Sequence, residues 1–165
     1  MSECFSRTGD ERFSHLQISR SIPPRAQNLM NPSRRCILCI DRDLDTCLMM
    51  QTFLALEGFE VRTAVSLSEG LNGARNGHSD LYLMDFEFPD GTGAELCQQI
   101  RSFDSATPVI FCSGSAYQSQ REQAMRAGAD AYLVKPLDFE CLLRTIAKSL
   151  NSPSNRSFAK AASSY

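Results

Sequence analysis

The sequence predicts an α/β fold: a doubly wound, five-stranded parallel sheet with helices on both faces. Three observations carry that expectation. Short runs that are apolar at every position recur as CILCI, LYLM and VIFC, and a strand with no polar face is one buried on both sides, as in parallel sheets. Each run is separated from the next by a stretch with helical character, and strand–helix–strand alternation gives right-handed crossovers. With 165 residues, the chain has room for one domain with a sizeable core and too little for two.

The elements follow in order. CILCI, 36–40, reads as the first strand. DTCLMMQTFLALEGF reads as a helix with Asp45 as its N-cap and Gly58 as its stop. EVRTA, 60–64, is the second strand, followed by a weak helix, SLSEGLNGARNG, that glycines interrupt and Gly77 closes. LYLMDF, 81–86, is the third strand, apolar until Asp85, and GAELCQQIRSF is the helix after it. PVIFCSG, 108–114, is the fourth strand, and QSQREQAMRAG is a helix stopped by Gly128. AYLVKP, 131–136, is the fifth strand, and DFECLLRTIAKSL is an amphipathic last helix capped by Asp138. Residues 1–34 and 151–165, rich in Ser, Arg, Asn and Pro without period, read as a flexible leader and tail around a domain at 35–150.

Composition narrows the function classes. The chain is 42% hydrophobic and 22% charged, near the average for globular proteins. It has no apolar run near the ~18 residues of a membrane span, and its first residues are no secretory signal, which points to the cytoplasm. The net charge of −2 hides a domain that is more acidic than its tails, so no nucleic-acid footprint is expected. Seven scattered cysteines suit a reducing compartment. Cys36 and Cys39 form a C-x-x-C, but on a strand residues three apart point to opposite faces, so they read as core residues rather than a metal or redox pair. His15 and His78 fall in the leader and a loop and read as ordinary exposed residues.

In doubly wound sheets, ligands collect beyond the carboxyl ends of the strands. Four strands end there in a polar group: Asp41, Asp85, Ser113 and Lys135. In the flavodoxin-like strand order 2-1-3-4-5, Asp41 and Asp85 lie on neighbouring strands, and two close carboxylates call for a proton, a cation or a hard metal ion. A carboxylate flanked by an ammonium and a hydroxyl is equipped to accept a phosphoryl group.

This ordered set, the strand ending in Asp41, LYLMDFEFPDGTG around Asp85, PVIFCSG with Ser113, and AGADAYLVKP with Lys135 before Pro136, resembles the response-regulator receiver domain of two-component signalling over residues 35–150. The resemblance implies that Asp85 is the phosphoacceptor for a histidine kinase or phosphotransfer protein. It implies that Lys135 contacts a phosphoryl oxygen and that Ser113 closes on it. Tyr132 matches the aromatic that reorients with that hydroxyl and alters the face of the fourth helix, fifth strand and fifth helix. Mg2+ would be held by Asp41, Asp85 and the backbone carbonyl of Glu87, whose side chain would tune the phosphoryl lifetime. Pro89 and Gly93 match the loop after the acceptor. On this reading the chain is a stand-alone phosphorelay signalling module rather than an enzyme, with a downstream protein target and a possible homodimer.

One position departs from the family. Its receivers usually end the first strand with two adjacent acids, and here the second is Arg42, with Asp43 one place out of phase. A permanently charged guanidinium near Asp85 disfavours a divalent cation, so weakened Mg2+ binding is expected. Arg42 could alternatively pair with Asp85 in place of the metal, or point to solvent. A shifted loop would be needed to bring Asp43 in. The competing reading is a degenerate receiver, a binding module that works without phosphorylation. A haloacid-dehalogenase-type phosphatase would need an aspartate where Glu87 stands, and a flavin site would need a phosphate loop where DRDLDT is acidic.

Overall fold

The computed structural model describes residues 34–152. The expected leader and tail lie almost wholly outside them. Among the described residues seven strands and five helices follow one another: β1 Cys36–Ile40, α1 Leu44–Leu56, β2 Glu60–Ala64, α2 Leu67–Asn76, β3 Leu81–Met84, β4 Glu87–Phe88, β5 Gly91–Thr92, α3 Gly93–Arg101, β6 Val109–Ser113, α4 Gln118–Ala127, β7 Ala131–Val134 and α5 Phe139–Asn151.

The main sheet runs β2-β1-β3-β6-β7 and every pairing in it is parallel. With the β4–β5 hairpin set aside, this is the order 2-1-3-4-5 expected from the sequence. The central strands are apolar throughout because both their faces are covered. On one face Leu38, Met84 and Phe111 pack against α2, α3 and α4; on the other Ile37, Leu83 and Ile110 pack against α1 and α5. Ile37, Ile40 and Leu81 are fully enclosed, and each such side chain contributes about 1.5–3 kcal/mol over its exposed state. The thiols follow the same logic: Cys36 and Cys39 are free, buried core residues, and Cys112 is pushed up to about 12 by its burial.

Several boundaries differ from the sequence reading. The cap of α1 is Asp43, not Asp45: Asp43 has extended backbone and accepts from the Asp45 N–H and the Thr46 hydroxyl. The α2 helix is complete despite its glycines because they serve packing. A Cβ on Gly70 would stand 2.8 Å from the Ile40 side chain, so the missing side chain lets α2 lie close on β1. α4 ends at Gly128 in the left-handed region (φ 105°), and Asp138 caps α5, both as expected. The short β4–β5 hairpin, unforeseen in the sequence, carries Glu87, and it runs into α3 through a capping box between Thr92 and Glu95.

Candidate functional site

The carboxyl edge of the sheet is built by register. Ile40 lies opposite Met84, so the residues that follow them, Asp41 and Asp85, leave the sheet side by side. The Asp41 N–H donates to the Ala64 carbonyl and the Asp85 N–H to the Ile40 carbonyl, which pins both backbones to the strands behind them. Both side chains are buried although charged. Asp41 accepts from the Asp43 N–H through Oδ1 at 2.9 Å, and Asp85 accepts from the Phe86 N–H through Oδ1 at 2.7 Å.

Lys135, just past the end of β7, reaches across to them. Its Nζ lies 2.5 Å from Asp41 Oδ2 and 3.8 Å from Asp85 Oδ2; its peptide bond to Pro136 is cis. Burial opposes the ammonium, but the bond to Asp41 and the charges of Asp85 and Asp41 outweigh it, and the lysine ends above its ordinary 10.5. Burial raises Asp85 above the ordinary 3.8, with Asp41 adding to the shift and Lys135, the Phe86 N–H and Arg42 opposing it. Asp85 is thus an anion that burial disfavours, and Asp41 is the carboxylate in short contact with the ammonium.

Ser113 is buried at the end of β6, its hydroxyl oxygen accepting from the Ser115 N–H at 3.2 Å. Tyr132 is turned inward: its ring stacks on Phe111 at 6.2 Å between centroids and its hydroxyl donates to the Ser115 carbonyl at 2.9 Å. Both residues therefore meet at the loop after β6. Gly93 N–H bonds the Phe86 carbonyl, and a Cβ there would lie 2.1 Å from the Asp85 carbonyl oxygen, so the acceptor loop closes on α3 where no side chain fits. Pro89 is exposed at the hairpin tip.

Arg42 does not pair with Asp85. Its guanidinium donates to Glu87 Oε2 at 3.2 Å, at the mouth of the pocket, while Gln120 Nε2 donates to Glu87 Oε1 at 3.3 Å. The guanidinium thus meets Glu87 rather than Asp85, and it stays about half exposed at the mouth. Asp43 is also out of the pocket, because both its oxygens serve the α1 cap. Gln120 had no signal in the sequence; helical register within α4 and the fold together bring it to Glu87.

The donors that could face a metal are hard oxygens, the carboxylates of Asp41 and Asp85 and the Glu87 carbonyl, and this suits Mg2+, which is bound through one or two carboxylates and keeps several waters. Among the described residues no cluster of three or more His, Cys, Asp or Glu side chains is placed to hold a metal. Two surface grooves among the described residues, of ≈ 730 and ≈ 760 Å³, lie elsewhere; neither is lined by Asp41, Asp85 or Lys135.

The sequence of residues 37–147 matches the family described as the response regulator receiver domain. The chain belongs to that family. This receiver is 35% identical over 100 residues to the transcriptional regulatory protein PrrA of Mycobacterium bovis, covering 61% of the chain and 43% of that protein. It is 31% identical over 114 residues to the transcriptional regulatory protein ZraR of Klebsiella oxytoca, covering 69% of the chain and 26% of that protein. The chain thus spans less than half the length of these relatives. Its fold is similar to the CheY-like receiver domain protein of Methanospirillum hungatei (TM-score 0.70, 32% identity, 72% of this chain and 95% of that one). It is also similar to TrrA of Thermotoga maritima in complex with Mg2+ and a beryllium fluoride (TM-score 0.64, 28% identity, 70% and 98%). Receiver domains are signalling modules that interact with histidine kinases or phosphotransfer proteins and bind Mg2+ at the phosphorylation site. Among the described residues, no helix is long and apolar enough to cross a membrane.

Proposed function

We propose that this receiver accepts a phosphoryl group on Asp85 and passes its state to a protein partner. The observation that carries the reading is Lys135 set between Asp41 and Asp85 at the open edge of the sheet. In the transfer, a carboxylate oxygen of Asp85 attacks the phosphorus of a phosphohistidine. A P–O bond forms, the P–N bond breaks, and the departing imidazole nitrogen takes a proton from solvent. Lys135 supplies fixed positive charge for the transferred oxygens. The Phe86 N–H holds the second oxygen of Asp85 and so orients the attacking one. Bound Mg2+ supplies further positive charge at the phosphoryl oxygens; Asp41, Asp85 and the Glu87 carbonyl would hold it.

Ser113 and Tyr132 are the proposed switch. Both bond to Ser115, so a hydroxyl drawn toward Asp85 alters the contact that keeps the Tyr132 ring inward. The groove of ≈ 730 Å³ beside edge strand β7, with Met125 on α4 and Lys148 on α5 among its walls, is the proposed partner face. The buried free thiols support a reducing compartment such as the cytoplasm.

Arg42 is proposed to weaken Mg2+ rather than to abolish phosphorylation, since its charge stands at the mouth on Glu87 and leaves the Asp41–Lys135–Asp85 set intact. Calorimetric titration is expected to give Arg42→Asp roughly tenfold higher Mg2+ affinity than wild type. The degenerate-module reading is separated from this one by incubating wild type, Asp85→Asn and Arg42→Asp with acetyl phosphate and Mg2+ and recording intact masses. Wild type should gain one phosphoryl group and Asp85→Asn none. Gain by Arg42→Asp alone would favour the degenerate module.

A further inference from the structure

Resting on that phosphoacceptor reading, we propose that Arg42, Glu87 and Gln120 form a latch across the mouth of the pocket. The latch holds the first turn of α4, and a phosphoryl group on Asp85 opens it by drawing Arg42 away from Glu87.

The three residues come from three separate segments: the loop after β1, strand β4 and helix α4. Glu87 gives one carboxylate oxygen to each neighbour, Oε2 to Arg42 and Oε1 to Gln120. Helix α4 needs such a tie. Its buried residues are Ala124 and Ala127, both in its second half, and its N-cap residue Tyr117 makes no side-chain cap bond. Gln118 spends its amide inside the helix on Glu122. Among the described residues, the Gln120–Glu87 bond is therefore what fastens a side chain of the first turn to another element.

The tie is also poised to let go. Gln120 Oε1 is buried without a hydrogen-bond partner, and such an acceptor is better placed in water. The Arg42–Glu87 pair is half exposed, and pairs of that kind are weak. A phosphoryl group offers about two negative charges and three acceptor oxygens, which suit a guanidinium fork better than one carboxylate oxygen does. Lys135 is held in place by Asp41 at 2.5 Å, and Arg42, one residue along from Asp41 and half exposed, is a second cation at this edge, free to swing toward the phosphoryl group. Once Arg42 leaves, Glu87 is an unpaired anion two residues from a phosphorylated aspartate. Repulsion turns it outward and the Gln120 bond is lost.

Amide hydrogen exchange of the full chain tests this, with phosphoramidate and Mg2+ as the phosphodonor. Phosphorylated wild type should exchange roughly three- to tenfold faster over residues 118–122 than the unmodified protein, with α1 and α5 unchanged. Glu87→Ala should show that faster exchange without phosphate and gain nothing further from it. Gln120→Ala is the companion variant and should behave alike. Unaltered exchange of α4 in both variants, or in phosphorylated wild type, overturns the latch. If intact mass shows no phosphoryl group on wild type, the phosphoacceptor reading is what failed. The two unphosphorylated variants then decide on the tie to α4 alone: fast α4 exchange upholds that tie, and wild-type exchange overturns it.

Discussion

Lys135 is the residue on which the pocket balances. One ammonium serves two buried carboxylates, in short contact with Asp41 and farther from Asp85. Replacing it, as in Lys135→Met, leaves Asp41 buried without its cation, and denaturant unfolding should show a loss of about 2–3 kcal/mol. That is somewhat less than for a wholly buried pair because the lysine keeps a solvent-facing side. Since its folded pKa is raised above 10.5, this stabilisation is fully present below that pH and is lost as pH climbs through the higher folded value. Asp85 behaves in the opposite sense. Burial makes its proton harder to remove, and only the carboxylate can attack phosphorus. Titrated by NMR without Mg2+, the Asp85 carboxyl should thus lose its proton above 3.8, the ordinary aspartate value. Lys135→Met should shift that titration further upward, because the lysine is the largest force holding that pKa down. These residues were legible in the sequence because each interrupts an apolar strand with a group that burial disfavours. Gln120 interrupts nothing, lying in a polar helix, and only the fold brings it to Glu87.

At the scale of elements, local chemistry decided more than propensity did. Asp43 and Asp45 are equally good capping residues by type; the extended backbone at Asp43 settled the start of α1, and the same choice took Asp43 out of the pocket. The α2 glycines read as helix breakers but are contact points with β1. Gly93 does comparable work at the acceptor loop. A Cβ would strike the Asp85 carbonyl and also approach the Phe111 ring at 2.9 Å, so Gly93→Ala should destabilise the domain by about 1–3 kcal/mol in thermal or denaturant unfolding. Backbone has little freedom to yield there, because the Gly93 N–H is bonded to the Phe86 carbonyl. The β4–β5 hairpin escaped the sequence reading because two strands of two residues carry no usable alternation.

Across the whole molecule, strand alternation and strand order were legible because parallel strands buried on both faces leave an unmistakable apolar pattern. Two cores, one on each side of the sheet, then fix where the strand ends meet. The side-chain geometry at that edge was not legible, since Arg42 had several charged neighbours within reach and the sequence cannot rank them. The fold gives Arg42 to Glu87, leaving Asp85 facing Lys135. Asp85 as the acceptor is tested most directly by phosphorylating wild type with acetyl phosphate and Mg2+, reducing the acyl phosphate with borohydride, and sequencing the peptides by mass spectrometry. Homoserine at position 85 is the expected product, and it should be absent without the phosphodonor. Homoserine at another aspartate, or at none, would contradict the assignment.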